Sequence, residues 1–217
     1  MQLALLMQSS LAASTWSSHG SPQPKVWLVG HSYIYWAARR AAVRPGGLNL
    51  GFMSADLSWR GIKGLKCLQV LSEVVAIGKQ SPGPTVLVIH AGGNDMCSTR
   101  LAALVLVMKS DIERFAAFFS DLVVVWSEVI PRVIWNGARN PESIERACRM
   151  LKMRVSRFVR SRCGMVIRHR QLEGDNAGLM LDDGVHLNDI GLDIFLSELQ
   201  DAIERALFLV GGGRSTV

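Results

Sequence analysis

The sequence offers little from which to build a disulfide scaffold, a metal centre or a membrane span. Its four cysteines, Cys67, Cys97, Cys148 and Cys163, are widely spaced, with no CxxC pair and no Cys/His ligand spacing. That excludes the common zinc patterns and makes free thiols in a reducing compartment the simplest reading. No uninterrupted apolar stretch approaches the ~20 residues that a bilayer-crossing helix requires. Acidic residues are also short, 18 against 24 Lys and Arg, for a net charge of +6. Such a balance permits contact with a polyanion without establishing it. No internal repeat is present. What the chain has is apolar mass: 49% hydrophobic and 19% charged over 217 residues. This suits one domain with a sizeable core and excludes wholesale disorder.

Residues 1–24 are rich in Ser, Ala, Gln and Pro and read as a poorly ordered leader. No Lys or Arg precedes the short apolar "LALLM", so the opening makes a poor signal peptide, and a cytoplasmic location is the expectation. The domain itself is expected over 25–209, followed by a flexible tail over 210–217. Within it, short apolar runs alternate with longer helical patterns. The runs are "VWLVG" (26–30), "LNLGFMS" (48–54), "TVLVIHA" (85–91), "LVVVWSEV" (122–129) and "GMVIRHR" (164–170). Three are nearly continuous, as parallel strands covered on both faces should be. Helical patterns follow each run, and the fourth opens with Asn140 as N-cap and Pro141 at the first helical position. The order predicts a doubly wound α/β sheet of about five parallel strands.

In that architecture ligands bind beyond the carboxyl ends of the strands, and chemically useful residues collect there. The first run stops at Gly30-His31-Ser32. The third runs into "HAGGNDMC", where Asn94 can donate an amide hydrogen to a developing oxyanion. "WRGIKGLKC" follows the second run, and Gly61 or Gly64 there can expose a backbone N–H ahead of the next helix. Near the carboxyl terminus, "LDDGVHLNDIG" sets Asp183 three residues before His186. That spacing lets the carboxylate fix the imidazole tautomer and leaves the other ring nitrogen to take a serine proton.

Ser, Gly, Asn and His in this order resemble the SGNH (GDSL-type) hydrolase superfamily over residues 26–207, most specifically at "GGNDM" and "DGVHLNDIGL". The resemblance implies a flavodoxin-like three-layer α/β/α fold and hydrolysis of carboxylic esters through an acyl-enzyme. It makes Ser32 the nucleophile, His186 the general base and acid, and Asp183 its orienting partner. The oxyanion donors would be the N–H of Ser32, the N–H of Gly64 (with Gly61 as the alternative) and the side chain of Asn94. It implies a small-molecule, lipid or sugar ester as substrate, and neither metal nor organic cofactor. The first block departs from the superfamily's Gly-Asp-Ser, with His31 in the aspartate's place. That aspartate anchors the turn rather than performing chemistry, so His31 need not abolish activity; it could also perturb the loop or raise the local positive field. A narrower likeness joins "GHSYIYWAARRA", "WRGIKGLK" and "VVVWSEVIPR" to SGNH-type domains of vertebrate retroelement open reading frames.

Plainer readings stand beside these. Asp95 is expected to hold a turn or cap a helix, and His90 to be a hydrogen-bonded core histidine. His19 and His169 carry no signal. Asp182 competes with Asp183, and only spacing favours the latter. Trp59 and Trp135 could wall an acyl pocket, whereas Trp126 reads as core. The helix over 141–162 carries Arg146, Arg149, Lys152, Arg154, Arg157, Arg160 and Arg162 around a buried stripe of Ile144, Cys148, Leu151, Val155 and Phe158. A nucleic-acid-associated accessory role for that face is the alternative function, and a catalytically inactive SGNH fold is another. No aromatics interleave the arginines, which argues against single-strand stacking.

Overall fold

Five short strands pair into one parallel sheet in a computed structural model of the chain, which describes residues 23–212. The strands are β1 (Lys25–Gly30), β2 (Asp56–Gly61), β3 (Val86–His90), β4 (Val123–Ser127) and β5 (Met165–Ile167). Their order is β2-β1-β3-β4-β5 and every pairing is parallel. Helices α1 (Ser32–Ala42), α2 (Cys67–Gly78), α3 (Leu101–Phe118), α4 (Pro141–Ser161) and α5 (Asp189–Gly212) connect and close the sheet. This is the expected three-layer α/β/α arrangement. The strand order reverses between β1 and β3, which opens a crevice at their carboxyl ends.

The pleat of β1 shows how two cores are built from one strand. Val26 and Leu28 pack under α1 and α5, whereas Trp27 and Val29 pack under α2, α3 and α4. The central strands are buried on both faces, which is why they read as unbroken apolar runs.

One strand lies elsewhere than expected. Residues 48–54 form no strand; β2 is Asp56–Gly61 instead. The segment 46–54 carries left-handed backbone at Gly46 (φ 90°), Leu50 (φ 49°) and Gly51 (φ 78°), and includes a 3-10 turn over Gly47–Asn49. The Asn49 side chain holds that turn, donating to the carbonyls of Phe52 and Ala55 and accepting from Leu57 N–H. Strand β2 lies at the sheet edge and alternates exposed with half-buried residues, so its own signal is weak.

Helix α4 begins as expected, with Asn140 Oδ1 accepting from Ser143 N–H at 3.0 Å. Helix α5 runs on to Gly212, into the segment expected to be tail. The remainder of that tail and residues 1–22 of the expected leader lie outside the described residues. No helix among the described residues is long and apolar enough to cross a membrane.

Candidate active site

Helix α1 begins directly after β1, with Ser32 as its first residue. The start is fixed by His31. Its Nδ1 accepts from Tyr33 N–H at 3.3 Å, an N-cap made by an imidazole. The His31 N–H in turn donates to His90 O at 3.2 Å, stitching β1 to β3 just below the serine. Gly30 has no alternative here, because a Cβ would sit 2.3 Å from His90 O.

Ser32 lies at the mouth of the crevice, 5% exposed. Its Oγ is 3.1 Å from His186 Nε2, and His186 Nδ1 is 2.6 Å from Asp183 Oδ2. The loop that presents both residues is a narrow turn. Leu181 N–H bonds His186 O at 2.7 Å, and Gly184 N–H bonds Leu181 O at 2.9 Å with Gly184 at φ +61°. Asp183 Oδ1 accepts from the N–H groups of Val185 and His186 at 2.8 and 2.9 Å. Burial acts to raise the Asp183 pKa, but the His186 ring and these two N–H donors outweigh it and hold the carboxyl at about 2. An ionised Asp183 accepts from His186 Nδ1–H, which leaves Nε2 free to accept from the Ser32 hydroxyl. Asp182 is exposed and bonds neither histidine nor backbone among the described residues.

Two glycines competed for one role, and the backbone separates them. Gly61 ends β2 against α1, where a Cβ would lie 2.1 Å from Tyr35 N; it is a packing glycine. Gly64 stands in the following turn at φ +77° with open space where its Cβ would be, and its N–H has no partner among the described residues. The Gly64 turn is tied to the Asn94 loop. Asn94 Nδ2 donates to Leu65 O at 3.1 Å, and the buried Asp95 carboxylate accepts from Cys67 N–H at 3.1 Å. Asp95 thus caps α2 across the crevice, and its burial raises its pKa.

Two residues at the site gave no signal that the sequence reading used. Tyr33 Oη donates to Val185 O at 2.6 Å, tying the residue after Ser32 to the residue before His186. Burial pushes this hydroxyl up to about 12, so it stays a donor. Arg132, in the loop after β4, donates from Nη2 to Asn94 Oδ1 at 3.1 Å and faces the rings of Tyr33 and Trp135. The strand-end rule that drew attention to Ser32 and Asn94 applies equally to "EVIPR" after β4.

His31 does not add positive field, contrary to one expectation. Burial, with Arg132 and His186 nearby, lowers its pKa to about 3, so the ring is neutral. Behind it lies a buried polar chain. His90 Nδ1 is 2.7 Å from Ser127 Oγ, Ser127 Oγ is 2.7 Å from His169 Nε2, and His169 Nδ1 is 2.5 Å from Glu198 Oε2. His90 is a core histidine as expected, but its Nε2 has no partner among the described residues. His169, which carried no signal, joins β5's end to α5. Trp59 lies in β2 and packs on the α1/α5 side, donating to Leu48 O, while Trp135 stands beside Arg132. Trp126 is core. Among the described residues no group of three His, Cys, Asp or Glu is arranged to hold a metal ion.

No family model matches the chain, and no curated protein matches it by sequence. Solved structures do match. A GDSL-like lipase from Bacteroides thetaiotaomicron superposes with a TM-score of 0.67 at 20% identity, covering 94% of this chain and 97% of that one. A family 3 carbohydrate esterase from Clostridium thermocellum gives 0.66 at 17% identity, over 87% of this chain and 100% of that one. The psychrotrophic esterase EstA of Pseudoalteromonas, in a structure inhibited by monoethylphosphonate, gives 0.63 at 16% identity over 84% and 98%. The chain has the fold of the SGNH/GDSL-type hydrolases.

Proposed function

We propose that the protein is a serine hydrolase of carboxylic esters, with Ser32 as nucleophile, His186 as general base and acid, and Asp183 as the partner that orients it. The observation that carries this reading is the unbroken hydrogen-bond run from Asp183 Oδ2 through His186 to Ser32 Oγ, at 2.6 and 3.1 Å. His186 Nε2 takes the hydroxyl proton as Ser32 Oγ attacks the ester carbonyl carbon. The resulting oxyanion is met by the N–H of Ser32, the N–H of Gly64 and the remaining hydrogen of Asn94 Nδ2. Ser32 N–H belongs to the first turn of α1 and has no intrahelical acceptor, so the helix end favours negative charge there. His186 then protonates the departing alcohol. Water, activated by the same Nε2, attacks the acyl-enzyme and restores Ser32. Each oxyanion donor is worth ~10²–10³ in rate, so Asn94 and Gly64 matter nearly as much as the triad.

The test is hydrolysis of p-nitrophenyl esters of increasing acyl length by the purified chain, beside Ser32→Ala and His186→Ala. Turnover by wild type with both variants at background is the expected result. Equal rates in all three folded proteins would remove the catalytic reading.

A further inference from the structure

The turn that carries Gly64 is fixed at both ends and bare at its tip. Ile62 N–H donates to Gly30 O at 2.9 Å, two residues before Ser32, and Leu65 N–H donates to Ile62 O at 3.1 Å. Leu65 O accepts from Asn94 Nδ2 at 3.1 Å. That closing bond, with φ +77° at Gly64, makes 62–65 a type II turn whose central pair is Lys63-Gly64. Both central residues are exposed. Gly64 meets no atom within 4 Å where its Cβ would be, and glycine has the least stiff backbone of any residue. Backbone alone therefore holds the tip loosely, and the Gly64 N–H with it.

Lys63 supplies the missing contact. Its Nζ stands over the Tyr35 ring, 4.7 Å from the centroid, and over the Trp36 ring at 4.5 Å. The two rings are nearly perpendicular, with centroids 5.0 Å apart and planes at 86°, so they form a corner that the ammonium caps. Lys63 has no carboxylate within ion-pair distance among the described residues, and the negative faces of the rings are its partners. Arg39 also stands over Tyr35, at 5.8 Å, but it belongs to α1 itself and ties nothing to the turn. Tyr35 and Trp36 lie one turn beyond Ser32 in α1. We propose that Lys63 is a positioning residue for the oxyanion donors: its ammonium clamps the Gly64 turn to α1 and fixes the Gly64 N–H relative to the Ser32 N–H. The inference rests on the esterase reading. Donors carried by two separate elements serve one oxyanion only at a set separation, because a hydrogen bond weakens steeply as its angle closes.

The experiment measures kcat and KM of the full chain for p-nitrophenyl butyrate, and Ki for 1,1,1-trifluoro-2-pentanone. The carbonyl carbon of that ketone takes Ser32 Oγ, the proton passes to His186, and an oxyanion is left in the ester's place. Lys63→Gln should lower kcat about fivefold and raise Ki by the same factor, with KM within about twofold. That is the size of two exposed cation–π contacts, well short of the ~10²–10³ for a lost donor. Lys63→Arg should restore most of both. Tyr35→Leu/Trp36→Leu leaves the charge in place and should match Lys63→Gln, and adding Lys63→Gln to it should cost little more. Trp36→Leu alone carries the comparison if thermal melts show that the double variant does not fold. Unchanged kcat and Ki in Lys63→Gln overturn the inference and leave the esterase reading standing, as does a loss confined to KM. A loss in Lys63→Gln that the ring variants do not share overturns it too, since charge alone is then the cause. No Ser32-dependent turnover by wild type overturns both readings.

Discussion

Arg132 should act on a neutral ester only through Asn94, and a double-mutant cycle tests that. The Asn94 amide is held at two points: Arg132 Nη2 on its Oδ1 at 3.1 Å, and Leu65 O on one hydrogen of Nδ2 at 3.1 Å. The other Nδ2 hydrogen has no acceptor among the described residues. Asn94→Ala removes a donor and should lower kcat by about 10²–10³. Arg132→Met keeps the apolar stem and removes the charged donor, a bond worth ~1.5–3 kcal/mol. Because the Leu65 anchor remains, the amide turns but is not lost, and a loss of about tenfold in kcat is expected. In the Asn94→Ala background the same change should cost less than about threefold, a coupling near 1 kcal/mol. The assay is kcat and KM for p-nitrophenyl butyrate across the four proteins, with thermal melts to verify folding. Equal losses from Arg132→Met in both backgrounds would refute the positioning argument.

Other outcomes follow from single contacts. Tyr33→Phe leaves the Val185 carbonyl, 2.6 Å from the lost hydroxyl, without its partner. It should cost about 1–3 kcal/mol by denaturant titration and lower kcat more than it raises KM. Gly61→Ala drives a Cβ to within 2.1 Å of Tyr35 N and should cost about 3 kcal/mol or more. Gly64→Ala meets no atom but strains a φ of +77°, so a folded protein weakened by ~1–2 kcal/mol with reduced kcat is expected. Burial lowers His31 from 6.5 to about 3. Between those values the unfolded chain binds a proton that the folded one refuses, so stability rises with pH across that window. Acid titration of wild type against His31→Gln should show a shallower slope in the variant, and identical slopes would remove His31 as the cause.

The central sheet and the proposed catalytic residues were legible because buried parallel strands and strand-end chemistry leave unambiguous marks. Val26 to Gly30 and Val86 to His90 read as core and are core. Asp183 and His186 are neighbours on one turn, so their spacing carries their geometry. The edge strand β2 was misplaced because an edge needs only alternating cover, and "LNLGFMS" is more apolar than "DLSWRG". Nothing local distinguishes an apolar turn held by one asparagine from a strand. Arg132 and Tyr33 were missed for a different reason. Each acts across more than 35 positions of sequence, on Asn94 and Val185 respectively. Contacts of that kind are made by the fold, and the residue type alone does not announce them.

The imidazole at position 31 shows how such distant contacts depend on one another. An aspartate capping α1 from this buried position, 1% exposed, would carry a charge needing compensation. Arg132, whose charge already bears on His31, is the nearby cation, and pairing would draw it from Asn94. A neutral histidine caps the helix through Nδ1 and asks for no counter-charge. Its ring packs against Tyr33 and His90 with centroids 5.1 and 4.7 Å away. His90 is kept neutral in turn, by burial first and then by His31 and His169 beside it. Ser127 Oγ stands 2.7 Å from both His90 Nδ1 and His169 Nε2, and His169 Nδ1 is 2.5 Å from Glu198 Oε2, so the row is tied to α5, the helix that follows His186. The histidine at the start of α1 therefore packs on one end of a buried polar layer, and it leaves Arg132 free to hold the Asn94 amide.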